Sequence, residues 1–207
     1  MRSINGWGLT IVDSLDTMWL MGLYDEFDAA LAIVANMTFS MNPVRTPILS
    51  HVILLYLWSA YLVLCHEQEA HAPFFETVIR YLGGLLSAYA LSKDPILLTR
   101  ADDLGIALFP AFHTPSGLPN FSVNTMNGKV GWNKDVAFAE MLSCQLEYKY
   151  LSYLTGRHEY YDAVEKVMNI VYKTNVTSTE ELFPSLWSML GGSPVDRMSR
   201  TFPIKPG

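Results

Sequence analysis

The sequence is short of charge. Asp, Glu, Lys and Arg make up 16% of its 207 residues, and the formal net charge is -6. Its few basic residues are scattered, so no stripe exists to track a phosphate backbone, and nucleic acid is excluded as an expected partner. Cysteine is nearly absent. Cys65 and Cys144 cannot frame a disulfide scaffold, and neither belongs to a C-x-x-C or Cys/His metal spacing. The redox compartment is left open by that count. No H-E-x-x-H, EF-hand loop or G-x-S-x-G is present and the five histidines are isolated, which removes zinc-protease, EF-hand and serine-hydrolase readings. Met1 to Thr10 holds one Arg and no apolar stretch, so it is not a signal peptide, and a secretory address would have to come from elsewhere. Strict alternation of apolar and polar residues is also missing, which argues against half-buried strands.

What the chain does contain is apolar residues, 50% of the total, with 13% aromatic, enough for one sizeable core. They recur at helical spacing, so the expected architecture is all-α. A first helix is predicted over about Leu9 to Met21, stopped by Gly22, and a second over about Asp25 to Ala35, together an αα-hairpin. A third begins at Pro73, with Phe75, Ile79, Leu82, Leu86 and Tyr89 as its apolar stripe, and ends at Ser92 to Pro95. The fourth covers about Pro95 to Leu108. Pro110, Pro115, Gly117, Pro119 and Gly128 then mark a long loop suited to binding. The fifth runs from about Asp135 to Leu154, stops at Gly156, and is followed by an antiparallel sixth from about Glu159 to Tyr172. The tail from Thr174 to Gly207, rich in Pro and Gly, reads as loop and short extended pieces. Hairpins with no closing partner look like part of an αα array or toroid.

Ile48 to Cys65 carries no Asp, Glu, Lys or Arg and reaches the ~18-residue threshold for a membrane span. Its His51, Ser50 and Ser59 count against spanning, and a span there would place the first hairpin and Glu76 on opposite sides of a bilayer. A membrane tether, a buried inserted helix and a misassembled segment all stay open. Three N-x-S/T sequons, at Asn36, Asn120 and Asn175, are compatible with glycosylation in the secretory pathway.

Glu76 stands in a helix's first turn among Phe74, Phe75, Val78 and Ile79. A carboxylate in apolar surroundings tends to keep its proton and can serve as a general acid. Arg80 at i+4 opposes this, and spacing alone fits an ordinary Glu/Arg surface pair. Asp13 and Asp16 in VDSLDT, with Thr17 one turn beyond Asp13, and Glu140 and Glu147 in FAEMLSCQLEY are the other acids on apolar helices. Glu140 and Glu147 are expected two turns apart on one side of a helix. Each fits a cap or rim charge, or one of a set of acids sent by successive hairpins toward a common centre.

These segments together resemble a known family. GLTIVDSLDTMWLMGLYDEFDAA is similar to the opening hairpin of class I α-1,2-mannosidases of glycoside hydrolase family 47, FFETVIRYLGGLLSAYALS to their acid-bearing helix, PAFHTPSGLPNFSVN to the loop after it, and AEMLSCQLEYKYLSYLTG to the next helix. The resemblance covers about residues 5 to 35 and 73 to 190. It implies part of an (αα)7 barrel that trims α-1,2-linked mannose from high-mannose N-glycans with inversion, aided by calcium, in the endoplasmic reticulum, in the Golgi or after secretion. By it Glu76 is the catalytic acid, Arg80 the arginine beside the acid, Glu140 a sugar-site glutamate, and Asp13 an acid of the first motif that contacts substrate. It also implies a single partial domain over 1-207, in which about 41-72 is an atypical apolar insertion. The family's second-acid segment, R-x-D-S-x-Y-E-Y-L, and its calcium-holding threonine have no counterpart here, so this chain alone is expected to be inactive. A non-catalytic glycan-binding module and a membrane-tethered fragment are the alternatives.

Overall fold

The computed structural model describes residues 4–40, 71–131, 133–174 and 183–195. The apolar run at Ile48 to Cys65 lies outside them. No helix among the described residues is long and apolar enough to cross a membrane.

The chain is mostly helical. After a short 3-10 turn at Ile4–Gly6, α1 (Leu9–Leu20) and α2 (Tyr24–Ala35) form the first hairpin, with Asp25 and Glu26 in the first turn of α2 where the helix dipole favours acids. A two-residue strand, β1 (Ala72–Pro73), leads into α3 (Phe74–Thr77). A π-helical turn, Val78–Leu82, joins it without interruption to α4 (Gly83–Ser92). Asp94 caps α5 (Pro95–Leu108) by accepting from the Ile96 N–H at 2.9 Å, with Pro95 at the first helical position where its missing N–H costs nothing. Beyond the loop lie β2 (Ser122–Val123), β3 (Asp135–Ala137), α6 (Phe138–Leu142), α7 (Gln145–Thr155), α8 (His158–Lys173) and β4 (Leu186–Ser188). Gly156, at φ 74°, turns α7 into α8 and caps α7 by donating to the Ser152 carbonyl.

Three expectations need correction. The third helix buries Phe74, Val78, Tyr81, Leu82, Leu85 and Leu86, whereas Phe75, Ile79 and Tyr89 are only half-buried. The buried set repeats at three and four residues from Phe74 onward, so the expected stripe begins one residue out of phase, at Phe75 instead of Phe74. The fifth element is not one helix. Asp135–Ala137 is strand, and the helix that follows breaks between Leu142 and Gln145. The third correction is the presence of strands in a chain without alternation. They are short and paired antiparallel, β1 with β2 (Ala72 opposite Val123) and β3 with β4 (Val136 opposite Trp187). Both pairs have a common purpose. Each runs straight into a helix N-terminus, and each ladder is extended by the first helical N–H, Phe74 to the Phe121 carbonyl and Phe138 to the Ser185 carbonyl.

One continuous core joins the elements, and each fully buried Leu, Val or Phe in it contributes about 1.5–3 kcal/mol. Helix α8 shows how it is built, with Tyr160, Val164, Val167 and Val171 on one buried stripe. At Gly84, α4 packs directly on the backbone of α1. A Cβ on Gly84 would stand 2.9 Å from the Val12 carbonyl oxygen and 3.0 Å from Val12 Cγ1. At Gly83 next door a Cβ would meet its nearest atoms at an ordinary 3.5 Å. Ala gains about 1 kcal/mol over Gly in helix propensity, while overpacking against fixed backbone costs about 1–3 kcal/mol. Gly84→Ala is therefore expected to lower the urea midpoint and Gly83→Ala to leave it unchanged or raise it; equal midpoints for the two variants would show that α1 and α4 are not in the close contact described.

Candidate functional site

Glu76 is the third residue of α3. Its position is fixed from both sides. The β1–β2 pair delivers the chain to Phe74, and Thr77 Oγ1 donates to the Pro73 carbonyl at 2.6 Å while accepting from Asn5 Nδ2 at 2.8 Å. Asn5 holds a left-handed backbone, φ 62°, to make that reach. Arg80 lies one turn on, inside the π turn, and its Nε donates to Glu76 Oε2 at 2.5 Å. The two side chains keep 33% and 42% of their surface in solvent, so the pair opens onto a surface rather than into the core.

Asp13 on α1 completes the cluster through space. Partial loss of water on its inner side raises its pKa although its residue is exposed overall; the Arg80 guanidinium pulls the other way and Asp16 adds to the rise. Arg80 is in turn held more firmly in its charged form, first by the hydrogen bond and charge of Glu76 and then, after a small opposing effect of burial, by Asp13. One guanidinium thus serves two carboxylates. Asp16 does something different: its Oδ2 accepts from Ser87 Oγ at 2.7 Å, a clamp between α1 and α4.

The structure brings Asp13, Glu76 and Arg80 together and leaves Glu140 apart from them. Glu140 is half-buried, and its carboxylate makes no hydrogen bond or ion pair with a described residue. Its placement nevertheless repeats that of Glu76, as the third residue of a helix entered from a paired strand. The expectation that Glu140 and Glu147 share a helix face fails because Ser143 and Cys144 separate α6 from α7. Glu147 turns instead toward α4, with its Oε1 3.5 Å from where a Gly83 Cβ would stand. Its Oε2 is buried without a hydrogen-bond partner. Sequence reasoning saw this acid but not its burial, which follows from the helix break. Asn5, Thr77 and Ser87 were missed outright, since their partners are distant in sequence.

Elsewhere a pocket of about 280 Å³, lined by Phe109, Phe112, His113, Gly117, Glu159 and Lys166 among others, includes none of these carboxylates. No group of three or more His, Cys, Asp or Glu side chains able to hold a metal occurs among the described residues. Cys144 is buried, and that burial, reinforced by Glu147, pushes its thiol up to about 12, which makes it inert.

Burial raises the Glu147 pKa above its ordinary 4.5. The folded state then binds this proton more tightly than the unfolded one, so its contribution to stability is full below pH 4.5 and is lost as pH rises through the raised value. Glu147→Gln is expected to flatten that decline and to be the more stable form at neutral pH. Parallel stability-against-pH curves from urea titrations of the two proteins would refute it.

The model of Glycosyl hydrolase family 47 matches residues 1–201. The human "Endoplasmic reticulum mannosyl-oligosaccharide 1,2-alpha-mannosidase" is 38% identical over 177 residues, 83% of this chain and 22% of the human protein. The Schizosaccharomyces pombe enzyme of the same name is 34% identical over 198 residues, covering 94% of this chain and 33% of that one. Among solved structures, the alpha-1,2-mannosidase from Trichoderma reesei superposes with a TM-score of 0.75 at 30% identity, over 94% of this chain and 38% of that chain. The helical hairpins are thus part of that (αα)7 barrel, and the chain spans between a fifth and two fifths of the length of these proteins. The sequence motifs, the hairpin array and the match across residues 1–201 agree that this chain belongs to glycosyl hydrolase family 47.

Proposed function

We propose that this chain carries the proton-donating half of an α-1,2-mannosidase site that acts on high-mannose N-glycans in the secretory pathway. The observation that carries the reading is the Glu76–Arg80 pair at the surface mouth of α3, with Asp13 coupled to it through Arg80. In the proposed reaction Glu76 protonates the glycosidic oxygen as the C1–O bond breaks, and water attacks C1 from the opposite face, its proton passing to a second carboxylate. Arg80, whose Nε donates to Glu76, is the donor that sugar hydroxyls would engage as the glycan enters. Glu140 would accept from sugar hydroxyls. By the family resemblance a calcium ion would contact the sugar in the same site.

The sequence contains no R-x-D-S-x-Y-E-Y-L segment to bring the second carboxylate. That favours a second reading of the chain by itself, as a module that holds mannose glycans without turning them over. The purified 207-residue chain with calcium is accordingly expected to release no mannose from a high-mannose glycan. It is expected to bind such glycans on an array, and Arg80→Ala to weaken binding about tenfold or more, the loss of one charge-assisted hydrogen bond of about 1.5–3 kcal/mol. Mannose release that Glu76→Gln abolishes would overturn the inactivity and support the acid assignment. Binding that Arg80→Ala and Glu140→Ala leave unchanged would remove the module reading.

A further inference from the structure

Two of the three sequons lie among the described residues, and the structure presents them in opposite phase. Asn36 ends α2, and from it Asn36 and Thr38 are exposed while Met37 and Phe39, the latter at a left-handed φ of 51°, are only 8% and 3% exposed. The inward residues are locked. The Met37 carbonyl accepts from Arg100 Nη1 at 3.0 Å, the Phe39 carbonyl accepts from Thr125 Oγ1, and the Phe39 ring meets Trp7 edge-on. Both side chains that define the sequon are therefore held on the solvent side by packing of the residues between and after them. The Asn36 amide makes only a local bond, Nδ2 to the Ala32 carbonyl at 2.8 Å.

At Asn120 the alternation is reversed. Asn120 is 5% exposed and Phe121 47%. The Asn120 Oδ1 accepts from the Ser122 N–H, its own N–H donates to the Ala111 carbonyl, and Oδ1 lies 3.7 Å from where a Gly131 Cβ would stand. A glycan on Nδ2 would have to leave from a side chain that is 5% exposed and whose other amide atom, Oδ1, is tied to the Ser122 N–H. Asn175 lies outside the described residues.

We propose that Asn36 is an N-glycosylation site of this protein and that Asn120, despite its matching sequon, is not. The donor is an oligosaccharide carried on a polyprenyl diphosphate. The amide nitrogen of Asn36 forms a bond to the sugar C1, the bond from C1 to the diphosphate breaks, and the amide proton leaves with the released lipid diphosphate or a base of the transferase. Attachment at Nδ2 costs the single bond to the Ala32 carbonyl and leaves the core untouched. The inference rests on the secretory placement proposed above.

The test imposes entry into the lumen so that the site is judged apart from the address. The full chain, fused to a cleavable leader, is translated with microsomes, and only protease-protected chains are scored by intact mass and peptide mapping. Asn36 is expected to read as Asp after enzymatic glycan removal, Asn36→Gln to carry one glycan fewer, and Asn120→Gln to carry the same number as the parent. Protected chains with Asn36 bare, or with Asn120 occupied in the folded, protease-resistant fraction, overturn the proposal. Localising the native gene product in cells tests the secretory reading on its own.

Discussion

The contact between α1 and α4 at Gly84 is the constraint on which the site depends. Only a residue without a side chain lets the α1 backbone come so near, with its Val12 carbonyl where a Cβ would otherwise be. That approach puts Ser87 within hydrogen-bond reach of Asp16 and brings Asp13, one turn earlier on α1, into the field of Arg80. A wider spacing would leave the first hairpin attached but electrostatically irrelevant to Glu76. The two glycines of the LGGLL segment thus have unequal duties: Gly84 sets an interhelical distance, and Gly83 leaves room for the Glu147 carboxyl.

Arg80 explains why an acid in the first turn of a helix can stay at the surface without being an idle charge. Arg80 donates to Glu76 and is held in its charged form first by Glu76 and then by Asp13, which acts on the same cation from α1. Such a cluster is poised to rearrange when a polyhydroxylated ligand competes for the guanidinium, because little of it is buried and no packing must be broken. Glu147 is the contrary case. It is sunk between α7 and α4 with an unpartnered oxygen, so any change in its charge is felt as stability rather than as ligand affinity.

Much of this was legible in the sequence, for identifiable reasons. α1, α2, α5 and α8 have unbroken apolar spacing and clear stops at Gly22, Asp94–Pro95 and Gly156, and their expected bounds fall within a residue or two of those observed. The third helix was found but its buried face was misplaced, because Phe74 and Phe75 are adjacent aromatics and spacing alone does not say which of them faces the core. The break at Ser143 and Cys144 was invisible for a similar reason: both residues keep helical dihedrals, and the strand pairing of Val136 with Trp187 that pulls the chain out of line is a long-range contact. At the site, the motif resemblance singled out Glu76, Arg80, Asp13 and Glu140, and the structure joins the first three. The supporting residues Asn5, Thr77 and Ser87 carry no local pattern, since each finds its partner more than 70 positions away or across a turn of backbone.

The anchoring of the chain on either side of residues 41–70 has a further consequence. On one side the Ser40 carbonyl is held by the Trp7 indole N–H at 2.9 Å, and on the other Ala72 is paired with Val123. Both anchors belong to the described core, so the turn that bears Glu76 takes its position from Asn5, Trp7 and Val123, residues outside that interval.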